Sequence, residues 1–249
     1  MPDDGPTTTD RLLDGRVVLR QPAQGFRVAI DAVLLAASVA AQPGETALEL
    51  GAGTGAAALC LARRVPDLVV TGLERDAGLV RLATANAAAN GLASRVRFVA
   101  GDIANARAAG PGPWDYVFAN PPYLTRATAD LRHGGDHAAT VEGDGGLAAW
   151  IAAIRRAVRH RGRVVVIHRA DRLGDLLAAL AGGFGAVTIF PLWPQDGAPA
   201  RRVLVGARAG VKGSLALLPG LALHRADGGW TAAAEAILRG GQPIDLSVR

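Results

Sequence analysis

Lysine is almost absent: Lys212 is the one lysine among 27 cationic side chains, so arginine carries the formal net charge of +5. Cysteine is equally scarce. Cys60 stands alone in an apolar stretch, which excludes an internal disulfide and reads as core rather than nucleophile. No uninterrupted apolar run of about 18 residues occurs, so no membrane span is expected. The first ten residues, MPDDGPTTTD, lack the charged-then-apolar order of a signal peptide. A cytoplasmic protein is the expectation. Aromatic residues make up only 4% of the chain while glycine numbers 32, a balance suited to tight helix-on-sheet packing. What is plentiful is apolar surface. Half of the 249 residues are hydrophobic, enough for one sizeable core. Positive charge suits a phosphate-bearing partner, although a GC-rich genome produces the same arginine bias.

From Thr46 onward, short β-like runs alternate with Ala/Leu-rich helical stretches. TALEL (46–50), LVVTGLE (68–74), RVRFVA (95–100), DYVFA (115–119), GRVVVIH (162–168), AVTIF (186–190) and RRVLVGA (201–207) read as strands. Helices are expected at 54–64, 77–90, 147–159 and 171–181, with Asn90-Gly91 stopping the second and Asp171 capping the last. Strand–helix alternation predicts an α/β fold: a doubly wound, seven-stranded, mostly parallel sheet. The last two strands are too closely joined for a crossover helix, so the final one should run antiparallel. One domain is expected, with a core at 46–208. An N-terminal extension (1–45) holds a possible strand at RVVLRQP and an apolar helix at 30–41; a C-terminal extension (209–249) holds one helix around 231–238.

ELGAGTG (49–55) follows a strand and opens a helix. Gly51, Gly53 and Gly55 let the backbone turn tightly and approach a ligand with no Cβ in the way. Glu74 ends the next strand, 23 residues after Gly51, where a carboxylate can accept both hydroxyls of an adenosine ribose. Asp102 follows the strand after that and can receive the adenine amine. The glycines alone also fit a nicotinamide dinucleotide. Glu49, two residues before the first glycine, together with Asp102, favours an S-adenosylmethionine site.

Asn120-Pro121-Pro122-Tyr123 directly follows the fourth strand. An exocyclic amine on a conjugated ring is a poor nucleophile because its lone pair is delocalised. The Asn120 side-chain oxygen and the Pro121 carbonyl can each accept one of its N–H groups, favouring a pyramidal nitrogen. The two prolines fix φ and remove two donors. Tyr123 offers a flat face on which a base can stack. The plain alternative is a rigid Pro-Pro turn.

These residues, with QGFRVAIDAVLLAA (24–37), VVVIHRADRL and PLWPQDGAPARRVLVGARAG, resemble the bacterial tRNA1(Val) adenine-N6-methyltransferase family, a class I N-methyltransferase group. The likeness covers roughly residues 10 to 212. It implies S-adenosyl-L-methionine as cofactor and RNA, specifically tRNA, as partner, with transfer to adenine N6. It assigns catalysis to Asn120, Pro121, Pro122 and Tyr123, and the cofactor to Glu49, Gly51, Gly53, Gly55, Glu74 and Asp102. In related enzymes the segment before the glycine motif closes over the methionine end, which adds Arg27 and Asp31. Their alternative roles are a surface arginine and a helix cap.

His133 and His137 have the i, i+4 spacing of a metal pair, but no third ligand is in view, so no metal is expected. The segment 125–146 that contains them is expected to cover the target base. Arg155, Arg156, Arg159, Arg161 and Arg163, with His160, form a basic cluster that is either a solvated face or an RNA-backbone contact. Rival readings are methylation of a protein glutamine amide, of guanine N2 in rRNA or of adenine in DNA; a nicotinamide oxidoreductase; and a catalytically inert RNA-binding module. The glutamine-amide enzymes carry a sizeable helical N-terminal domain, whereas about 45 residues precede the first core strand here.

Overall fold

The computed structural model describes residues 6–24, 28, 30–123 and 145–248. The elements in chain order are β1 (Thr7–Leu12), β2 (Val17–Pro22), α1 (Ile30–Ser38), β3 (Thr46–Leu50), α2 (Ala56–Arg64), β4 (Val69–Glu74), α3 (Ala77–Ala89) and β5 (Val96–Ala100). A 3-10 segment (Ile103–Ala109) leads to β6 (Trp114–Ala119). Then come α4 (Gly146–Ala157), β7 (Val158–Arg169), a 3-10 turn (Ala170–Arg172), α5 (Leu173–Leu180), β8 (Phe184–Gln195), β9 (Arg202–Ala209), β10 (Ala216–Leu217), β11 (Leu221–His224) and α6 (Ala232–Leu238).

All seven expected strands are present, in the order β5-β4-β3-β6-β7-β9-β8, with β9 antiparallel to both neighbours. The sheet is larger than expected, however. β10 and β11 add in parallel to the outer edge of β8, making nine strands. Gly220 makes that docking possible. At φ +83° it passes so close to β8 that a Cβ would lie 2.3 Å from the Pro191 carbonyl oxygen. Strands of two and four residues give little or no alternation to read, so neither is expected from the sequence.

Alternation along each core strand divides the interior. Leu48, Leu50, Val117, Ala119, Val164 and Val166 face α4 and α5, while Ala47, Tyr116, Phe118, Val165 and Ile167 face α1 and α2. The second face also takes Ala234 and Ile237 of α6 and Ile244 beyond it. Cys60 lies here, 1% exposed, and burial pushes its thiol up to about 12, so it is an inert core residue.

Three local expectations need correction. Asp171 does not cap α5: its carboxylate pairs with Arg169, and the helix starts at Leu173 with no side-chain cap. α4 ends at Ala157, so Arg159 lies on β7 rather than on a helix. The N-terminal extension holds a β1–β2 hairpin, not a single strand.

That hairpin is fastened by two asparagines one turn apart, Asn86 on α3 and Asn90 at its C-terminal cap. Asn86 Oδ1 accepts the Arg20 N–H (2.9 Å), and its Nδ2 donates to the Arg20 carbonyl (2.9 Å) and the Thr54 carbonyl (3.0 Å). Asn90 does the same for both backbone groups of Val18 (2.8 and 2.7 Å). Side-chain amides thus stand in for a neighbouring strand. Asn86 is fully buried, and Asn86→Ala strands three backbone groups. The variant is expected to lose about 1–3 kcal/mol, a fall in thermal midpoint on the order of 5 °C. An unchanged midpoint in a calorimetric scan would refute the fastening role.

Candidate active site

The order of strands reverses at β3, and the crevice at the carboxyl ends of β3, β4 and β6 is where such sheets hold ligands. The glycine loop lies there, with φ of +70° at Gly51, +54° at Gly53 and +88° at Gly55. The three glycines serve different needs. A Cβ on Gly51 would sit 2.6 Å from the Trp150 ring and one on Gly55 2.5 Å from Phe98, so both are packing glycines. A Cβ on Gly53 would meet nothing within 4 Å. Gly53 is the one whose bare face opens outward.

Glu74 ties the loop to the next strand. Its Oε2 accepts the Gly53 N–H (2.9 Å) and its Oε1 accepts the Asp76 N–H (3.0 Å). Each oxygen keeps a lone pair for a further donor. Asp76, which the sequence reading passed over, caps α3 by accepting from Gly78 (2.7 Å) and Leu79 (3.0 Å). Asp102 is exposed and caps the 3-10 segment through Ala104 N–H (2.7 Å), leaving one carboxylate oxygen outward.

Glu49, expected at the cofactor, lies beneath the glycine loop. It is 4% exposed, and its Oε2 accepts the Ala58 N–H of α2 (2.9 Å). Burial pushes its carboxyl well above the usual range against that bond, and the charge of Glu74 pushes the same way. It braces the loop from beneath. An adenosyl ligand fits this edge: an open glycine backbone, a diol acceptor at Glu74, an outward acceptor at Asp102, and the buried Thr54 hydroxyl, which has no partner among the described residues.

Ala119 pairs with Leu50 on one side and Val166 on the other. Asn120 therefore emerges beside Gly51, which brings the Asn-Pro-Pro-Tyr segment against the glycine loop. Asn120 and Tyr123 are half-buried and Pro121 is buried.

Arg202, at the start of antiparallel β9, reaches the same edge. Its guanidinium lies 5.2 Å from the Tyr123 ring centroid, and its Nε donates to Asp31 Oδ2 of α1 (3.0 Å). Asp31, expected at the methionine end, has one carboxylate oxygen engaged by Arg202. Arg27 lies outside the described residues, as do His133, Asp136 and His137. Among the described residues no cluster of potential metal ligands occurs, and no helix is long and apolar enough to cross a membrane.

The basic cluster is dispersed and turned away. Arg155 and Arg156 end α4, and Arg159, Arg161 and Arg163 begin β7, so all lie at the amino edge of the sheet. Arg155 donates to the Gly182 carbonyl (2.7 Å), Arg159 pairs with Asp115 (2.6 Å), and Arg163 donates to the Tyr116 hydroxyl (2.7 Å). These are fold contacts. Arg169, Arg172, Arg201 and Arg202 lie at the carboxyl edge instead.

His168 ends the buried part of β7, 2% exposed. Its Nδ1 accepts the Arg169 N–H (2.7 Å), and its Nε2 has no partner among the described residues.

Residues 27–135 match the methyltransferase small domain family. A tRNA1(Val) (adenine(37)-N6)-methyltransferase of Porphyromonas gingivalis is 32% identical over 178 residues, covering 68% of each chain. A release factor glutamine methyltransferase of Deinococcus radiodurans is 41% identical over 138 residues, covering 53% of this chain and 48% of its own. Among solved structures, a predicted O-methyltransferase from Agrobacterium tumefaciens superimposes with a TM-score of 0.72 at 25% identity, covering 86% of this chain and 98% of its own.

Proposed function

This chain belongs to the tRNA1(Val) adenine-N6-methyltransferase family of S-adenosylmethionine-dependent enzymes, and from that premise we propose that it methylates the N6 amine of an adenine in tRNA. What supports the reading is the strand register: Ala119 pairs with Leu50, so Asn120 and Gly51 leave neighbouring strand ends side by side. S-adenosylmethionine supplies a methyl group bound to a sulfonium centre. Glu74 holds the ribose diol and Asp102 the adenine amine of the cofactor, while Glu49 supports the loop from below. The Asn120 side-chain oxygen and the Pro121 carbonyl accept the two N–H groups of the target amine, which turns its lone pair toward the methyl. Tyr123 stacks on the base. Positioning and fixed acceptors supply the catalysis.

The 41% identity to a glutamine-amide enzyme supports a second reading, because the same acceptors suit a planar amide. The two part on one assay. Purified protein with labelled S-adenosylmethionine is offered unmodified tRNA and, separately, a release factor. Label in N6-methyladenosine after nuclease digestion supports the tRNA reading. Label confined to protein glutamine transfers the assignment.

A further inference from the structure

The structure assigns a positioning role to Arg202: with Asp31 it forms a backing for Tyr123 that fixes which face of the ring meets the substrate. This rests on the reading that Tyr123 takes the target base. An aromatic ring has two faces, and here a guanidinium already lies over one of them, 5.2 Å from the centroid. A planar cation prefers that position because the ring face is its negative side. The face turned away from Arg202 is the one left for a base.

The backing is itself held. Arg202 Nε donates to Asp31 Oδ2 at 3.0 Å, and both side chains are largely covered, 30% and 15% exposed. The contact joins residues 171 apart in sequence, linking α1 to β9 across the crevice mouth. Next to it, Arg169 pairs with Arg202 across the β7–β9 ladder and is held in turn by Asp171. Arg169 and Arg202 thus each have their own carboxylate. Of the two, Arg202 is the one whose guanidinium lies over the Tyr123 ring, with the charge of Arg169 within reach of the same side chain. Tyr123 follows two prolines on an otherwise unpaired stretch, so the strand ladder does not fix its ring. A side chain from β9 does.

The test joins an acceptor-free measurement to a kinetic one. The chain has only two tyrosines, Tyr116 and Tyr123, so protein carrying ring-labelled tyrosine gives two sets of aromatic NMR signals, assigned by the loss of one set in Tyr123→Phe. Arg202→Met should shift the Tyr123 signals and leave those of Tyr116 in place. Single-turnover methylation should fall about tenfold, the scale of one cation–π contact, with S-adenosylhomocysteine affinity unchanged. In a Tyr123→Ala background, Arg202→Met should have no further effect, because it acts through that ring. Arg202→Lys keeps a partner for Asp31 and guards against a fold defect; it should recover part of the rate. An unmoved Tyr123 signal in both Arg202 variants overturns the proposal, as does an undiminished Arg202→Met effect on the Tyr123→Ala background. If wild-type protein methylates release factor and not tRNA, the substrate reading fails on its own. The ring signals, recorded without acceptor, still decide the role of Arg202.

Discussion

Asn120→Ala is expected to lower the single-turnover rate of methyl transfer on the order of 10²–10³-fold, the scale seen when one preorganised polar contact to a developing charge is removed. The residue stands one position past the end of β6, half-buried, beside the glycine loop. Its side-chain oxygen matters most when the acceptor amine pyramidalises, so the loss falls on kcat more than on KM. Cofactor binding should survive, because Gly53, Glu74 and Asp102 are on other strand ends. Calorimetric titration with S-adenosylhomocysteine is therefore the control for folding. Tyr123→Phe keeps the flat face and should be much milder than Tyr123→Ala. A variant that binds cofactor normally and transfers methyl at the wild-type rate would reduce Asn120-Pro121-Pro122-Tyr123 to a turn.

This site was legible because its chemistry is written in contiguous residues. ELGAGTG and Asn-Pro-Pro-Tyr each sit at a strand end, and those ends follow from short apolar runs bounded by glycine and proline. Contacts between distant segments were not legible. Arg202 and Asp31 are 171 residues apart, and Asn86 meets Arg20 across 66. Nothing local in either sequence neighbourhood marks such a pair. The β1–β2 turn carries an Asp14-Gly15 pair, a hairpin signal, but the strand before it, TTTDRL, is too polar to read as a strand, so the hairpin was not expected. The arginine cluster left two readings open because spacing was visible but direction was not. Its members end α4 and open β7, so the helix-to-strand reversal delivers them to the far edge of the sheet. Charge alone does not say which edge it faces.

His168→Leu is expected to flatten the acid side of the stability curve. Burial, helped by Arg172 and Arg202, pushes the wild-type imidazole down from 6.5 to about 4. The native state thus keeps it neutral, with Nδ1 accepting from the Arg169 N–H, while the unfolded chain takes a proton near pH 6.5. Unfolded protein binds more protons between pH 6.5 and about 4, so stability is full above that window and falls on going down through it. The loss is on the order of 3 kcal/mol, from about 1.4 kcal/mol per unit. Glu49 works against this. Its raised carboxyl makes the native state bind more protons just above the usual carboxylate range, so its contribution falls as pH rises. The raw curve mixes the two, and the difference between wild type and His168→Leu isolates the histidine. Asp171, held below the usual range by Arg169, gives way only at lower pH. Denaturant unfolding at pH 7, 5.5 and 4 decides the matter. A wild-type advantage over His168→Leu that does not shrink between pH 7 and 4 would show that the buried imidazole does not set the acid limit.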